Sequence, residues 1–262
     1  MSVLTLDATS RWYGNVVAVN GISMTVRPGV TGLLGPNGAG KTTIIALMSG
    51  FLAPSAGTVT LDGDAVWRHT DAYRTIGLVP ERELSFGYLT GRQFVLANAE
   101  LHGLDDPGAA TERALDIVEM GEPAGRRIGT YSKGMRQRVK LASALVHDPA
   151  VLLLDEPASG LDPRSRVELR DLLRRLAGEG RAVVVSSHIL SDLEEVADRV
   201  VFVDGGRTVG QHRIGELPET RFERIYRIRA TDPARLRAAL DRAGWDCVDA
   251  GAAGLDVPVS GG

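Results

Sequence analysis

Apolar and polar positions follow two different patterns along this chain. Residues 3–6 and 22–26 alternate between apolar and polar side chains, as half-buried strands do. Beyond residue 29, short unbroken apolar runs alternate with helical stretches, a pattern typical of strands buried on both faces of a parallel sheet. These runs cover residues 30–34, 76–79, 151–154, 182–185 and 200–203. The pattern predicts an α/β fold, with a mostly parallel sheet and an N-terminal antiparallel β layer.

The apolar spacing becomes helical between residues 92 and 147. Four residues of this stretch fall on one helix face: Met135, Val139, Ala142 and Val146. We therefore expect a helical subdomain at about residues 85–148. Two helix starts are marked further on. Asp162-Pro163 supplies an N-cap and a first-turn proline, and residues 191–194 (Ser-Asp-Leu-Glu) have the spacing of a capping box.

The sequence pattern changes after Leu217. This change predicts a main domain of residues 1–217 and a C-terminal extension of residues 218–262. The extension is predicted as β-α-β, from a strand at residues 224–230, a helix opened by Asp232-Pro233 and closed near Gly244, and a strand at residues 246–250. About 45 residues are too few to bury an independent core. The extension therefore packs on the main domain, pairs with another copy, or is an incomplete piece of a longer unit.

Composition narrows the class of protein. The chain has 262 residues, of which 44% are hydrophobic and 24% charged, and a net charge of −3. Its longest apolar run, residues 44–48, is far shorter than the roughly 18 to 20 residues of a membrane span, and we expect no signal segment. The absence of a long basic tract argues against nucleic-acid binding. The single cysteine, Cys247, excludes an internal disulfide.

A glycine-rich segment follows the predicted strand at residues 30–34 and precedes a predicted helix. It matches the phosphate-binding pattern G-x-x-x-x-G-K-[ST] of P-loop NTPases with Gly35, Pro36, Asn37, Gly38, Ala39, Gly40, Lys41 and Thr42. Backbone N–H groups of such a loop surround phosphate oxygens, and the helix N-terminus adds partial positive charge. Lys41 is predicted to bind the β and γ phosphates, and the Thr42 hydroxyl to bind Mg²⁺. Thr43, the next residue, is also predicted to belong to this nucleotide-binding site.

Two adjacent carboxylates, Asp155 and Glu156, end the buried run at residues 151–154. Ligands of open α/β sheets bind at this end of the strands. Asp155 is predicted to hold Mg²⁺ through its water shell, and Glu156 to act as the base that polarises the attacking water. The alternative is that the acidic pair only caps a following helix. The phosphate loop earlier in the chain favours the functional interpretation.

The order of these motifs resembles the ATP-binding-cassette (ABC) ATPases, and the resemblance covers most of the chain. The motif that supports the name is Tyr131-Ser-Lys-Gly-Met135, which precedes a predicted helix and lies upstream of Asp155. It is similar to the family's signature L-S-G-G-Q, with Ser132 and Gly134 matching and the other three positions departing. This form resembles cassettes that serve exporters of the ABC-2 type. As a helix start it would still present a hydroxyl and backbone N–H groups to an anion.

The resemblance assigns roles to further residues. Tyr13 matches the aromatic that stacks on adenine, although a strand-end tyrosine is the alternative. His188 matches the switch histidine that contacts the γ-phosphate. Glu81 stands where the family usually has a glutamine that senses the metal and the attacking water. It is predicted to sense the metal still, unless Pro80-Glu81 is only a solvated turn.

The resemblance implies an ATPase that works as a dimer. ATP with Mg²⁺ would lie between Lys41 and Thr42 of one subunit and Ser132 and Gly134 of a second cassette, either a second copy or a related subunit. Because the chain is not predicted to cross a membrane, export requires a separate transmembrane permease. Its cytoplasmic helix would dock near Glu81 and residues 86–104. The expected location is cytoplasmic and peripheral, on the inner face of the membrane.

Two other functions compete with this interpretation. A soluble ABC-type ATPase acting on ribosomes or DNA would usually carry two cassettes, a long coiled coil or zinc modules, none of which this sequence indicates. A phosphate-loop switch or kinase would need neither the helix at Ser132 nor His188. The cargo is not determined by the sequence, although the ABC-2 resemblance favours a drug, lipid or polysaccharide.

Overall fold

A computed structural model describes residues 2–82, 86–216, 224–229, 232–243, 248–249 and 254–259. The chain divides into two compact units, Met1–Ile214 and Gly215–Gly262. Leu217, where the domain boundary was predicted, and Cys247 lie outside the described residues.

The first unit alternates strands and helices along most of its length. Its strands are β1 (Leu4–Tyr13), β2 (Val16–Val26), β3 (Gly29–Leu34), β4 (Ala56–Leu61), β5 (Asp64–Ala65), β6 (Ile76–Val79), β7 (Val151–Leu154), β8 (Ala182–Ser187), β9 (Arg199–Asp204) and β10 (Arg207–Arg213). Its α-helices are α1 (Lys41–Met48), α2 (Thr70–Thr75), α3 (Gly91–Leu101), α4 (Pro107–Ile117), α5 (Lys133–Leu145), α6 (Pro163–Gly178) and α7 (Leu190–Glu194).

The central sheet of the described part has six strands in the order β10-β9-β3-β8-β7-β6. All neighbours are parallel except β9 and β10, which form an antiparallel pair. Every residue of β7 and β8 is buried, because helices and a second sheet cover the two faces. The predicted mostly parallel sheet, with strands buried on both faces, is confirmed.

A second, antiparallel sheet has the order β2-β1-β4-β5. It confirms the predicted antiparallel layer, in which β1 and β2 contain the two alternating runs. Strand β4 was not predicted. Only Val59 and Leu61 of β4 are buried, and Gly57 weakens the local strand pattern. Its pairing with β1, where Leu6 lies opposite Val59, makes it a strand.

The predicted helical insert consists of α3, α4 and α5. On α5 the side chains of Val139 and Ala142 are buried, Val146 directly after the helix is buried, and Met135 is partly buried. The insert packs around these residues in the same core cluster as part of the central sheet. The 3.6-residue apolar period therefore identified the buried face correctly.

One predicted helix start is confirmed and one is wrong. The Asp162 carboxylate accepts a hydrogen bond of 3.0 Å from the backbone N–H of Ser165, and thereby caps α6. In contrast, α7 begins at Leu190 after Ile189, with no side-chain cap, so Ser191 lies inside the helix. The reason is local: the Ser187 hydroxyl accepts a hydrogen bond from the N–H of Ile189 and fixes an earlier turn.

The second unit contains β11 (Arg224–Arg229), α8 (Pro233–Arg242), β12 (Val248–Asp249) and β13 (Gly254–Val259). The helix start at Asp232 is as predicted, since its carboxylate accepts from the N–H of Arg235. The strands form an antiparallel sheet in the order β11-β13-β12. Strand β13 was not predicted, because Gly254 and Pro258 argue locally against a strand. In neither unit is a described helix both long and apolar enough to span a membrane.

Two histidines stack where the helical insert meets the central sheet. The rings of His102 and His147 lie with their centroids 3.8 Å apart and nearly parallel, at 10°. Nε2 of His147 lies 3.2 Å from the carbonyl oxygen of Ile76, to which it donates in the Nε2-protonated tautomer. Burial, and next the positive charge of a protonated His102, lower the pKa of His147 to about 4. His147 is therefore neutral in the folded protein near neutral pH.

This pKa predicts an acid-sensitive stability. The unfolded chain takes up a proton on His147 below about pH 6.5, whereas the folded chain does not until about pH 4. The free energy of unfolding should therefore fall as the pH decreases through this window. Urea unfolding of the wild type and of His147→Gln at about pH 7 and about pH 5 measures this, and the wild type should lose more stability. His212→Gln, at an exposed histidine, is the control. An equal pH dependence for the wild type and His147→Gln would contradict the prediction.

Candidate functional site

The phosphate-loop segment connects β3 to α1, as predicted, and its glycines are required by close backbone contacts. A Cβ atom on Gly35 would collide with the carbonyl oxygen of Val203. Gly40 has φ of +104° and faces the carbonyl oxygen of Ala18, which would lie 2.6 Å from a Cβ atom. A side chain at either position would displace the backbone. The loop can therefore hold this conformation only with glycine at these positions.

Lys41 is buried inside the loop at the first turn of α1. Its Nζ donates to the carbonyl oxygens of Gly35 at 2.7 Å and Pro36 at 3.2 Å. The same atom lies 3.2 Å from Oε1 of Glu156. A buried ammonium needs such partners because desolvation is costly. The charge of Lys41 is thus held where the loop would surround a phosphate group. Thr42 is exposed and Thr43 partly buried in the same helical turn.

The two predicted carboxylates at the end of β7 are joined by a third residue, Ser186. The Ser186 hydroxyl donates to Oδ1 of buried Asp155 at 2.6 Å and accepts from the backbone N–H of Glu156 at 2.8 Å. Ser186 has no function predicted from the sequence, because its role depends on which strands pair. In the structure Leu154 pairs with Val185, so the next residues on both strands meet.

The backbone of Glu156 has φ of +46°, a left-handed conformation that is uncommon for a residue with a side chain. Its two carboxylate oxygens have different partners: Oε1 faces Lys41, and Oε2 lies 3.0 Å from Nδ1 of His188. His188 follows β8 and is partly exposed. The structure thus brings together three residues predicted separately in the sequence. A strained backbone held by surrounding contacts is a common feature of functional sites.

Ser132 and Gly134 lie at the N-terminus of α5. Ser132 is the N-cap, and its exposed hydroxyl accepts from the N–H of Met135 at 3.2 Å. Gly134 lies close to α6, since a Cβ atom there would come within 2.8 Å of the Ser165 hydroxyl oxygen. The segment therefore has the predicted helix-start geometry on the surface of the insert, on a different element from Lys41 and Glu156.

Tyr13 is half-exposed at the end of β1, with the guanidinium of Arg11 at 4.9 Å from its ring centroid. The ring is thus available on the surface, as stacking on a base requires. Glu81 is exposed after β6, and its carbonyl oxygen accepts from Nζ of Lys140 at 3.4 Å.

A cavity of about 450 Å³ separates the Glu81 segment from α5. Four basic and two acidic side chains line it with Gln137 and Ser159; these are Arg82, Lys133, Arg136, Lys140, Glu81 and Glu156. Glu81 and Glu156 thus border one space, in which the basic side chains reduce the repulsion between the two carboxylates.

The strand, phosphate loop and helix, together with the carboxylate pair two strands away, define a phosphate-loop nucleotide-binding protein. Comparison with known proteins narrows this class. Residues 19–159 match the ABC transporter family. The daunorubicin resistance ATP-binding protein DrrA3 of Streptomyces coeruleorubidus is 37% identical over 86% of this chain and 72% of its own length. A Nod factor export ATP-binding protein I of Burkholderia orbicola is 35% identical over 92% of this chain and 81% of its own.

A solved structure supports the same family. The cbiO1 protein of Clostridium perfringens, part of an ABC transporter complex, superposes with a TM-score of 0.72 at 28% identity, covering 81% of this chain and 89% of its own. The chain therefore belongs to the ABC transporter family, which confirms the predicted family. It is an ATP-binding and ATP-hydrolysing transporter subunit, and cassettes of this family dimerise and work with a transmembrane permease. These similarities give no support to the alternative of an ATPase acting on ribosomes.

The position of Ser186 predicts a loss of turnover when its hydroxyl is removed. In Ser186→Ala, Asp155 loses a hydrogen bond and the N–H of Glu156 loses its acceptor, so Glu156 is less well held. We expect kcat for ATP to fall on the order of tenfold while KM changes little. Steady-state ATPase assays measure both constants. Ser143→Ala is the control, since that hydroxyl donates to the carbonyl oxygen of Lys140 on its own helix. A folded Ser186→Ala protein with wild-type kcat would contradict this role.

Proposed function

We propose that this chain is the ATPase subunit of an exporter, peripheral on the cytoplasmic face of the membrane, and that two cassettes close on ATP. The observation that carries the mechanism is the placement of the Glu156 carboxylate between Lys41 and His188, beside the phosphate loop. A base next to a phosphate-binding lysine is the arrangement that hydrolysis of a phosphoanhydride requires. The second cassette is a second copy of this chain or a related subunit.

Nucleotide binding is assigned to the loop from Gly35 through Thr43 and to Tyr13. The backbone N–H groups of the loop and the N-terminus of α1 bind phosphate oxygens, and Tyr13 stacks on adenine. Phosphate oxygens compete with Glu156 for the ammonium of Lys41, which lies 3.2 Å from that carboxylate. Nucleotide binding therefore frees one oxygen of Glu156.

Hydrolysis then follows from the freed carboxylate. Glu156 accepts a proton from a water molecule as the water oxygen bonds to the γ-phosphorus and the bond from that phosphorus to the β-γ bridging oxygen breaks. His188 donates a hydrogen bond to the γ-phosphate. Ser186 keeps Asp155 and the backbone of Glu156 in place during this step.

The residues present fit a magnesium ion bound with the nucleotide. The Thr42 hydroxyl and the Asp155 carboxylate are oxygen donors, which Mg²⁺ prefers, and Glu81, which borders one cavity with Glu156, would supply a third. Among the described residues no group of three or more His, Cys, Asp or Glu side chains could hold a metal. This agrees with an ion held by few side chains, phosphate oxygens and water. When bound, the ion neutralises charge on the β and γ phosphates.

The dimer is proposed from the exposed position of Ser132, with partly buried Gly134 beside it at the start of α5. At the N-terminus of α5, the Ser132 hydroxyl, the backbone N–H groups and the helix dipole together favour an anion. In the proposed dimer this anion is the γ-phosphate of the ATP bound to the other cassette. ATP then holds the two cassettes together, and loss of the γ-phosphate releases them.

Exposed apolar side chains support a permease surface near the predicted position. Tyr88 and Leu101, both within residues 86–104, are 69% and 85% exposed, and Phe51 is 75% exposed. Phe51 also borders a groove of about 300 Å³ lined by Ser49, Gly50, Tyr73, Ile76 and Leu78. Exposed apolar groups of this kind are typical of protein interfaces. The relatives named for drug resistance and Nod factor export favour a drug, lipid or polysaccharide as cargo.

The Glu156→Gln variant tests the dimer. It keeps the phosphate loop and loses the base, so hydrolysis should fall by about 10² to 10⁴ and ATP should trap the closed dimer. Light scattering after size-exclusion chromatography, with and without ATP, measures the dimer. Glu156→Gln combined with Lys41→Ala is the matched control and should stay monomeric, because Lys41 is needed to bind the phosphates. Normal turnover in Glu156→Gln would show that Glu156 is not the base.

The same variant tests the permease. Tagged Glu156→Gln protein, incubated with ATP and detergent-solubilised membranes of its own host, should recover a multi-span membrane protein in stoichiometric amount, identified by mass spectrometry. The recovered partner would also indicate the cargo class. Recovery of ribosomal proteins or nucleic acid, with no membrane protein, would overturn the exporter assignment while leaving the ATPase chemistry intact.

A further inference from the structure

The residue before the signature serine is Tyr131, where the family pattern has leucine. Its side chain is only 2% exposed. A leucine would fill such a site with carbon atoms alone, whereas Tyr131 brings a hydroxyl that must find partners. It has two. The hydroxyl donates to the carbonyl oxygen of Pro123 at 2.9 Å and accepts from the backbone N–H of Gly91 at 3.2 Å.

The second partner connects two distant parts of the insert. Gly91 is the first residue of α3, and its N–H is one of the groups that a helix start leaves without an intrahelical partner. A Cβ atom at Gly91 would lie 2.5 Å from the Tyr131 hydroxyl oxygen and 3.0 Å from Cγ2 of Val139. The close approach of the hydroxyl therefore depends on glycine at this position.

Backbone hydrogen bonds continue this connection between residues 86–91 and residues 126–131. The N–H of Ile128 donates to the carbonyl oxygen of Leu89 at 2.9 Å, and the N–H of Gly129 to that of Gly87 at 3.0 Å. We call these two hydrogen-bonded segments the clasp. One segment carries the exposed side chains of Phe86 and Tyr88, and the other ends directly at Ser132.

The hydroxyl is the only side-chain oxygen of Tyr131, and it serves both partners at once. Burial raises the pKa of Tyr131 above its ordinary value, so the group stays protonated at physiological pH and keeps donating to Pro123. The other end of the residue is also held: its carbonyl oxygen accepts from Nη2 of Arg136 at 2.8 Å. Tyr131 is thus fixed both at its ring and at its backbone.

We propose that Tyr131 is a positioning residue that, through its hydroxyl bond to Gly91, holds Ser132 at a fixed place relative to the segment carrying Phe86 and Tyr88. Movement of that segment, which belongs to the proposed permease surface, then moves the serine that binds the γ-phosphate of the other cassette. The inference rests on the proposed function, because it needs Ser132 to act across the dimer.

The test uses Tyr131→Phe in the full-length Glu156→Gln protein, which removes one oxygen atom and keeps the ring. We expect ATP-dependent dimerisation, measured by sedimentation equilibrium, to weaken about fivefold or more. The buried N–H of Gly91 loses the shorter of its two hydrogen bonds and keeps the one to the carbonyl oxygen of Arg126, at 3.4 Å. ATP binding to the dilute monomer, measured by titration calorimetry, should stay unchanged, because the phosphate loop is untouched. If the role of Tyr131 were merely structural, its substitution would not weaken dimerisation while leaving the affinity of the monomer for ATP unchanged.

A matched control removes another buried hydroxyl of the same insert. The Oγ1 of Thr111 donates to the carbonyl oxygen of Pro107 within α4, at 2.7 Å, so Thr111→Val loses one buried hydrogen bond away from the clasp. Thermal unfolding of both variants ranks their stability loss. If Thr111→Val weakens dimerisation as much as Tyr131→Phe at equal stability loss, the effect is general and the proposal is wrong.

The remaining outcomes are also distinguishable. Dimerisation of Tyr131→Phe at the parent affinity would overturn the positioning role while leaving the proposed function intact. Failure of the parent Glu156→Gln protein itself to dimerise with ATP would instead overturn the proposed function. If Tyr131→Phe does not fold, Gly91→Ala serves in its place, because its Cβ atom displaces the hydroxyl. The expectation is the same weakened dimerisation with unchanged monomer affinity, and parent-level dimerisation would again overturn the role.

Discussion

The proposed hydrolysis site depends on how the backbone of Glu156 is held in a left-handed conformation. With φ of +46°, this residue carries strain that the surrounding contacts must offset. The Ser186 hydroxyl provides the main constraint, since it accepts from the N–H of Glu156 while donating to Asp155. Because β7 and β8 pair in parallel register, the strand pairing itself places Ser186 beside Asp155 and Glu156. The Glu156 side chain is thereby directed between Lys41 and His188.

This arrangement supports the proposed link between nucleotide binding and the availability of Glu156 as the base. The Lys41 ammonium has Glu156 and two loop carbonyl oxygens as partners. In the proposed mechanism, phosphate oxygens replace Glu156 around Lys41, and the carboxylate becomes free to accept a proton only when nucleotide is present. The ion pair keeps two buried charges paired, and an unpaired buried charge would be costly. In the proposed mechanism, one contact thus both stabilises the site and serves its chemistry.

Sequence reasoning predicts the parts of this site that are continuous in the chain. The phosphate loop, the Asp155-Glu156 pair and the helix caps at Ser132 and Asp162 are local patterns, and each lies where it was predicted. The role of Ser186 depends instead on the pairing of strands whose contacting residues are 31 positions apart. Strand β13 was missed for the same reason: its local sequence argues against a strand, and its pairing with β11 decides its structure.

Two of the departures from the family pattern, Tyr131 and Glu81, are each matched by their surroundings. At Tyr131, the additional oxygen has a donor and an acceptor within hydrogen-bonding distance, and the neighbouring Gly91 has no side chain that would exclude it. At Glu81, the additional negative charge borders a cavity with four basic side chains, and Lys140 also binds its backbone carbonyl. A polar or charged group placed in an environment without partners would destabilise the fold. In this chain the neighbours of Tyr131 and Glu81 accommodate the polar or charged group, which is why the roles of both residues must be argued from their contacts rather than from the family motif alone.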